Sequence, residues 1–365
     1  MLLRTFGWSL GITALGLAAA AYFWGADGFG VVLILSVLEI SLSFDNAVIN
    51  ATILKRMTPF WQKIFLTVGV LIAVFGMRLV FPLLVVALTA HIGPQTVVQL
   101  ALDSSKTYHG LNYGQHLDAA HPAIAAFGGM FLLMIFLDFI LGEKEVRWLH
   151  WVEAPLEKIG RLNQLSVVVS LVVLMLSARF FAGDGAETVL LAGVAGLTTY
   201  LAVSGLSDLF EGAGEDEDEA EAEEGAVARP KSAVLVAGKA AFFLFLYLEV
   251  LDASFSFDGV VGAFAISQDI FQITLGLGIG AMYIRSLTVY LVRQGTLDDY
   301  VYLEHGAHYA IGALAIILMV SIKYTIPEIV TGLIGVAFIG LALLSSVLRN
   351  RRIALEEAGA SPGPA

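Results

Sequence analysis

Five carboxylates stand inside otherwise apolar stretches of the chain: Glu39, Asp45, Glu249, Asp252 and Asp258. On membrane-insertion scales an aspartate at a helix centre costs about 2.5–3.5 kcal/mol, so five unpaired acids would cost about 12–17 kcal/mol. Protonation or pairing lowers that figure. Only Arg78, Lys239 and Arg285 lie in comparable surroundings, so the excess negative charge asks for protons or for a cation. The acids come with neutral oxygen donors, Ser43 and Asn46 near Asp45 and Ser256 near Asp258. Carboxylate, hydroxyl and amide oxygens together suit a hard divalent cation, and they suit Mg²⁺, Ca²⁺ and Mn²⁺ alike. The candidate metal-ligating set is therefore Asp45, Asn46 and Asp258, with Glu39, Asp252, Glu249, Ser43 and Ser256 beside them. Arg78 and Arg285 are expected to pair with these acids when no cation does.

Spacing limits how the acids can meet. Glu39 and Asp45 would be about 9 Å apart along a continuous helix. The sequence predicts either two layers of carboxylates or helices broken at Asp45–Asn46 and at Asp258–Gly259, where Asn and Gly tolerate non-helical backbone.

The elements that must position these residues are membrane helices. The chain has 365 residues, 58% hydrophobic and 14% charged, against about 45–50% and about 25% in soluble domains. There is no cysteine, which excludes disulfides and thiolate metal sites. Of the net charge of −12, nine acids fall in residues 211–224, leaving 23 acids against 20 bases and no basic face for nucleic acid. A span needs about 20 apolar residues. Ten candidates follow, near 6–24, 28–52, 62–90, 119–141, 164–182, 186–208, 232–266, 270–292, 303–323 and 326–348, the first read as a retained helix rather than a cleaved signal. With both termini in the cytoplasm, 14 of the 20 Lys and Arg fall inside, three (Lys106, Arg179, Lys323) fall outside and three lie within spans.

The halves repeat. ISLSFDNAV at 40–48 aligns with ASFSFDGVV at 253–261, and Glu39 aligns with Asp252. One helix later Arg78 matches Arg285. One helix after that His121 and His305 each stand seven residues before a glycine, Gly128 and Gly312. The matched helices lie five spans apart, an odd number, so the copies face opposite ways across the bilayer. Inverted repeats with a site at their interface are a signature of secondary transporters. The chain is thus expected to be an all-α polytopic bundle of about ten spans: a first membrane repeat with flanking helices over 1–210, an acidic cytoplasmic linker over 211–231, a second repeat over 232–349 and a disordered tail over 350–365. Asp138, near the inner end of the fourth span, is read as facing headgroups. His91, His109, His116, His121, His305 and His308 are read as interfacial rather than as a zinc site.

At Glu39 with SFDNA (43–47), GMRL (76–79) and LEVLDASFSFDG (248–259), the sequence resembles the TerC family of bacterial integral membrane proteins, in the LysE-type transporter superfamily, and more closely a TerC-related branch catalogued as a domain of unknown function. The resemblance covers about residues 28–325. It implies manganese efflux across the bacterial inner membrane and an association with tellurite resistance. It carries the motif acids and amide onto Asp45, Asn46 and Asp258. One position departs: the second TerC-type motif commonly continues Asp-Ser with a proline soon after, whereas Gly259, Val260 and Val261 follow Asp258 here, so one side-chain oxygen is lost.

The function expected is divalent-cation export, alone or coupled to protons, with no tightly bound cofactor and no enzymatic step; the partners are the lipid bilayer and the transported cation. Two rivals stand beside it. One is a membrane scaffold in metal or tellurite stress resistance. The other is an intramembrane aspartyl protease using Asp45 and Asp258, against which the chain lacks Gly-x-Gly-Asp before either residue.

Overall fold

The computed structural model describes residues 2–103, 105–162, 164–222, 235–295 and 299–360. The side chains of 2–5, 42, 208, 210–222, 257, 258, 265, 328, 354 and 357–360 lie outside the described set, Asp258 among them. Among the described residues the chain is helical, without a strand. In chain order the helices are α1 (Leu2–Leu42), α2 (Phe44–Leu54), α3 (Pro59–Thr89), α4 (Pro94–Leu102), α5 (Tyr113–Leu141), α6 (His150–Gly160), α7 (Leu165–Phe180), α8 (Ala186–Ala222), α9 (Gly238–Ile266), α10 (Ile270–Gln294), α11 (Leu303–Ser321) and α12 (Glu328–Ala360). Among the described residues seven helices are long and apolar enough to cross a membrane, or eight if α6 and α7, bent by 103°, form one span.

That count takes α1 as a single span, yet its contacts run in both directions along α10. Ser9 meets Ser286 and Trp24 bonds Asp269, an antiparallel register. Ser36 bonds the Gly276 carbonyl and Glu39 packs on Gly280, a parallel one. The chain must reverse between these stretches, and it does so at Gly25, whose φ of 70° is left-handed and needs glycine. α1 is therefore a helical hairpin clasping α10, and its arms correspond to the first two expected spans. The 29-residue α9, about 43 Å long, is also of membrane-crossing length.

The inverted repeat is visible in the pairing. Asn46 bonds Asp252, and Glu39 lies against Gly259, so α1–α2 and α9 cross antiparallel. These two contacts exchange under the alignment of Glu39 with Asp252 and Asn46 with Gly259, as a twofold axis requires. α3 meets α10 at Val74 and Gly278. α5 and α11 pack antiparallel, Gly129 against Met319 and Gly312 against Phe136.

Three expectations are corrected. The first motif helix breaks at Ser43 (φ −98°, ψ 16°), two residues before Asp45, and α9 runs unbroken through Asp258–Gly259. The acidic run does not begin as an irregular linker: residues 211–222 continue α8, in keeping with the helix propensity of Glu and Ala. The rest of that linker, 223–231, lies outside the described residues. The tail is helical to Ala360, and residues 361–365 lie outside the description.

Candidate functional site

Local structure delivers each charged group to the crossing point. The middle of α3, Ile72–Val80, is π-helical, and Pro82 follows at the start of the next α-helical turn. Proline has no N–H for the preceding ladder, which favours a wider turn there. The π turn lets Arg78 donate to its own Ala73 carbonyl (2.6 Å) while reaching across to Glu39, Ser256 (3.3 Å) and Asp252 (4.0 Å). Arg285, from α10, donates both terminal nitrogens to Glu249 at 2.9 Å each and one to Asp252 at 3.3 Å, with its guanidinium 4.2 Å over the Phe65 ring. Asp252 also accepts Asn46 Nδ2 at 2.8 Å, and Glu39 accepts Ser43 Oγ at 3.2 Å. All of these side chains are buried, the two arginines to 2% and 1% exposure.

Asp45 is placed differently. It stands in the first turn of α2, where the helix dipole favours a carboxylate. Its Oδ1 accepts the Asn46 N–H at 2.9 Å, and no ion pair reaches it among the described residues. Its other oxygen lies close to Gly335 of α12, where an added Cβ would come within 2.5 Å. Asp45, Glu39 and Ser43 line a cavity of about 210 Å³ that also touches Asp118 and His121 at the start of α5.

The arrangement sets four buried acids, Glu39, Asp45, Glu249 and Asp252, against two buried arginines. Three acids are held by the arginines, and the fourth faces a cavity. Among the described residues no group of three or more His, Asp or Glu closes into a metal cage, so a cation at Asp45 would take water and neutral oxygens or draw Glu39 away from Arg78. Asp258 sits on α9 one residue before Gly259, which faces Glu39; its side chain lies outside the described residues.

Some residues singled out by sequence lie elsewhere. Ser41, one turn before Asp45, is exposed and bonds the Val37 carbonyl, and Ser254 bonds the Val250 carbonyl. His305 and His116 each tie to a loop carbonyl, Val146 and Tyr108. Asp138 is exposed near the end of α5 and accepts the Tyr200 hydroxyl at 2.6 Å. Sequence reasoning missed Asn50, which is wholly buried with both amide atoms unpartnered. Its position, one turn after Asn46 on the same face of α2, was the available signal.

Residues 44–353 match the family model described as protein of unknown function (DUF475). The chain belongs to the DUF475 family. The DUF475 match takes in Asp45, Asn46, both arginines and the second copy of the motif, and begins five residues after Glu39. Its description assigns no activity and ties the chain to neither TerC nor the LysE superfamily. No curated protein and no solved structure matches the chain.

Proposed function

We propose that this protein is a secondary transporter that exports a divalent cation, with Mn²⁺ the first to test. The observation that carries the reading is a buried carboxylate, Asp45, without a cationic partner among the described residues, facing a cavity at the antiparallel crossing of two repeats. An intramembrane acid without a partner is expensive, and one facing a cavity marks an ion path. Arg78 and Arg285 neutralise the other acids while no cation is bound. A cation at Asp45 then competes with Arg78 for Glu39, which couples loading to movement of α3 against α1. Inverted repeats make such a movement reversible between two faces of the membrane. The resemblance to TerC supplies manganese, export, the bacterial inner membrane and both termini on the cytoplasmic side; proton coupling is part of the same proposal.

The test is cation flux into proteoliposomes holding the purified full-length protein, scanning Mn²⁺, Ca²⁺, Mg²⁺ and Zn²⁺ with and without a pH gradient. Mn²⁺ movement that depends on Asp45 supports the reading. Absence of flux for every cation, with a metal-resistance phenotype that survives Asp45→Asn, would place the protein among scaffolds instead.

A further inference from the structure

The cavity at Asp45 has a wall of one electrostatic sign. Besides Glu39 and Asp45 it is lined by Asp118 and His121 of α5 and by hydroxyls around the turn from α11 to α12, Ser321 and Thr325 among them. No lysine or arginine is among its described lining residues. Asp118 and His121 stand three residues apart and so share one face of α5. A capping box fixes the start of that helix, Asn112 and Gln115 exchanging bonds of 2.9 Å each. Exposure falls from Asp118, which is exposed, through half-buried His121 to Asp45 at 5%. The three mark the mouth, the wall and the floor.

His121, read from the sequence as interfacial, is the imidazole among the described residues of this wall. Its counterpart in the repeat, His305, is placed otherwise. That ring is buried, with Nε2 2.9 Å from the Val146 carbonyl and 3.6 Å from Glu153. The cleft it lines holds Asp138 and Glu304 and no motif carboxylate among the described residues. Of the matched pair, His121 is the one that shares a cavity with Glu39 and Asp45.

Carboxylates and hydroxyls serve Mg²⁺, Ca²⁺ and Mn²⁺ alike, whereas an imidazole nitrogen favours first-row transition cations, increasingly from Mn²⁺ to Zn²⁺. The ring has two nitrogens, so one can hold a protein neighbour while the other meets an ion. We propose that His121 sets the cation preference of the Asp45 site, supplying a nitrogen donor that favours transition cations over Mg²⁺ and Ca²⁺. Asp45, Asp118 and His121 do not close into a cage of three, so the ion takes Asp45 and His121 as donors and keeps waters for the rest. The cavity of about 210 Å³ has room for them, since one water needs about 10–15 Å³ of such space. The proposal deepens the transport reading and rests on it for the site at Asp45.

Mn²⁺ is titrated into the purified full-length protein in detergent, bound metal is followed by electron paramagnetic resonance, and Zn²⁺, Mg²⁺ and Ca²⁺ are added as competitors. Spin-echo modulation from a directly bound nitrogen is expected in the parent and should vanish in His121→Gln. That variant should also need about tenfold more Zn²⁺ to displace Mn²⁺, with Mg²⁺ and Ca²⁺ competing against Mn²⁺ at least as well as in the parent. His150→Gln, on the exposed side of α6, should match the parent. Mn²⁺ binding that needs Asp45 but shows no nitrogen modulation, or a His121→Gln variant with the parent's order of competitors, overturns the role of His121 and leaves the Asp45 site standing. Mn²⁺ binding unchanged in Asp45→Asn, or no binding to the parent at all, overturns both.

Discussion

At the scale of single residues, the contrast between Asp45 and the other acids governs what substitutions should do. Asp45→Asn keeps shape and removes a charge without orphaning a partner, so Mn²⁺ flux in liposomes should fall by about tenfold or more, which is about 1.4 kcal/mol or more, while the unfolding temperature in detergent stays near the parent's. Flux at the parent rate would make the acid structural. Arg285→Ala is the opposite case: it leaves Glu249 and Asp252 buried without their shared cation, a loss of about 3–5 kcal/mol that thermal unfolding should register. Gly335→Ala probes the site without touching charge. Its methyl would come within 2.5 Å of Asp45 Oδ2, closer than side chains tolerate, so Mn²⁺ affinity should drop while α12 stays helical. Protons compete with metal for carboxylates, so Mn²⁺ binding should weaken as pH falls through the carboxylate range and recover when it is raised.

At the scale of elements, the α1 hairpin makes the sharpest claim. Ser9 and Ser286 hydroxyls are 2.9 Å apart, and the chain has no native cysteine. A Ser9→Cys, Ser286→Cys double variant should form a disulfide under mild oxidation, seen as a mobility shift in non-reducing gels. A straight α1 aligned with α10 only through Ser36 and Glu39 would leave those thiols free. Gly25→Ala should cost about 1–2 kcal/mol, because a Cβ is disfavoured at φ near 70°. The π turn of α3 has a mechanical role: it gives Arg78 its Ala73 tether, and so its reach to both Glu39 and Asp252.

At the scale of the whole molecule, the cavity at Asp45 and a second one lined by Asp138, Ser207 and His308 stand several helical turns apart along α5. An inverted-repeat carrier reaches its other state by exchanging the environments of the two copies. The present asymmetry has a local expression: α2 starts afresh after a break at Ser43, while α9 passes through its equivalent position unbroken.

Composition and periodicity determined much of this protein. Hydrophobic runs of bilayer length and buried acids on apolar helices fix an all-α membrane bundle, because lipid leaves the backbone few other choices. The matched motifs, five spans apart, fix the inverted pairing, and the Asn46–Asp252 and Glu39–Gly259 contacts answer to it. The antiparallel run of the two motif helices was legible because it depends only on counting spans between the copies. Which acid meets which arginine was not. Glu249 takes the bidentate bond of Arg285, and Asp252 bridges both arginines, an outcome set by helix rotation and by the π turn of α3. The break at Ser43 rather than at Asn46 was equally hidden, since serine carries no strong signal for it. The second cavity was beyond reach: Asp138, Ser207 and His308 come from α5, α8 and α11, and only their packing brings them to one wall.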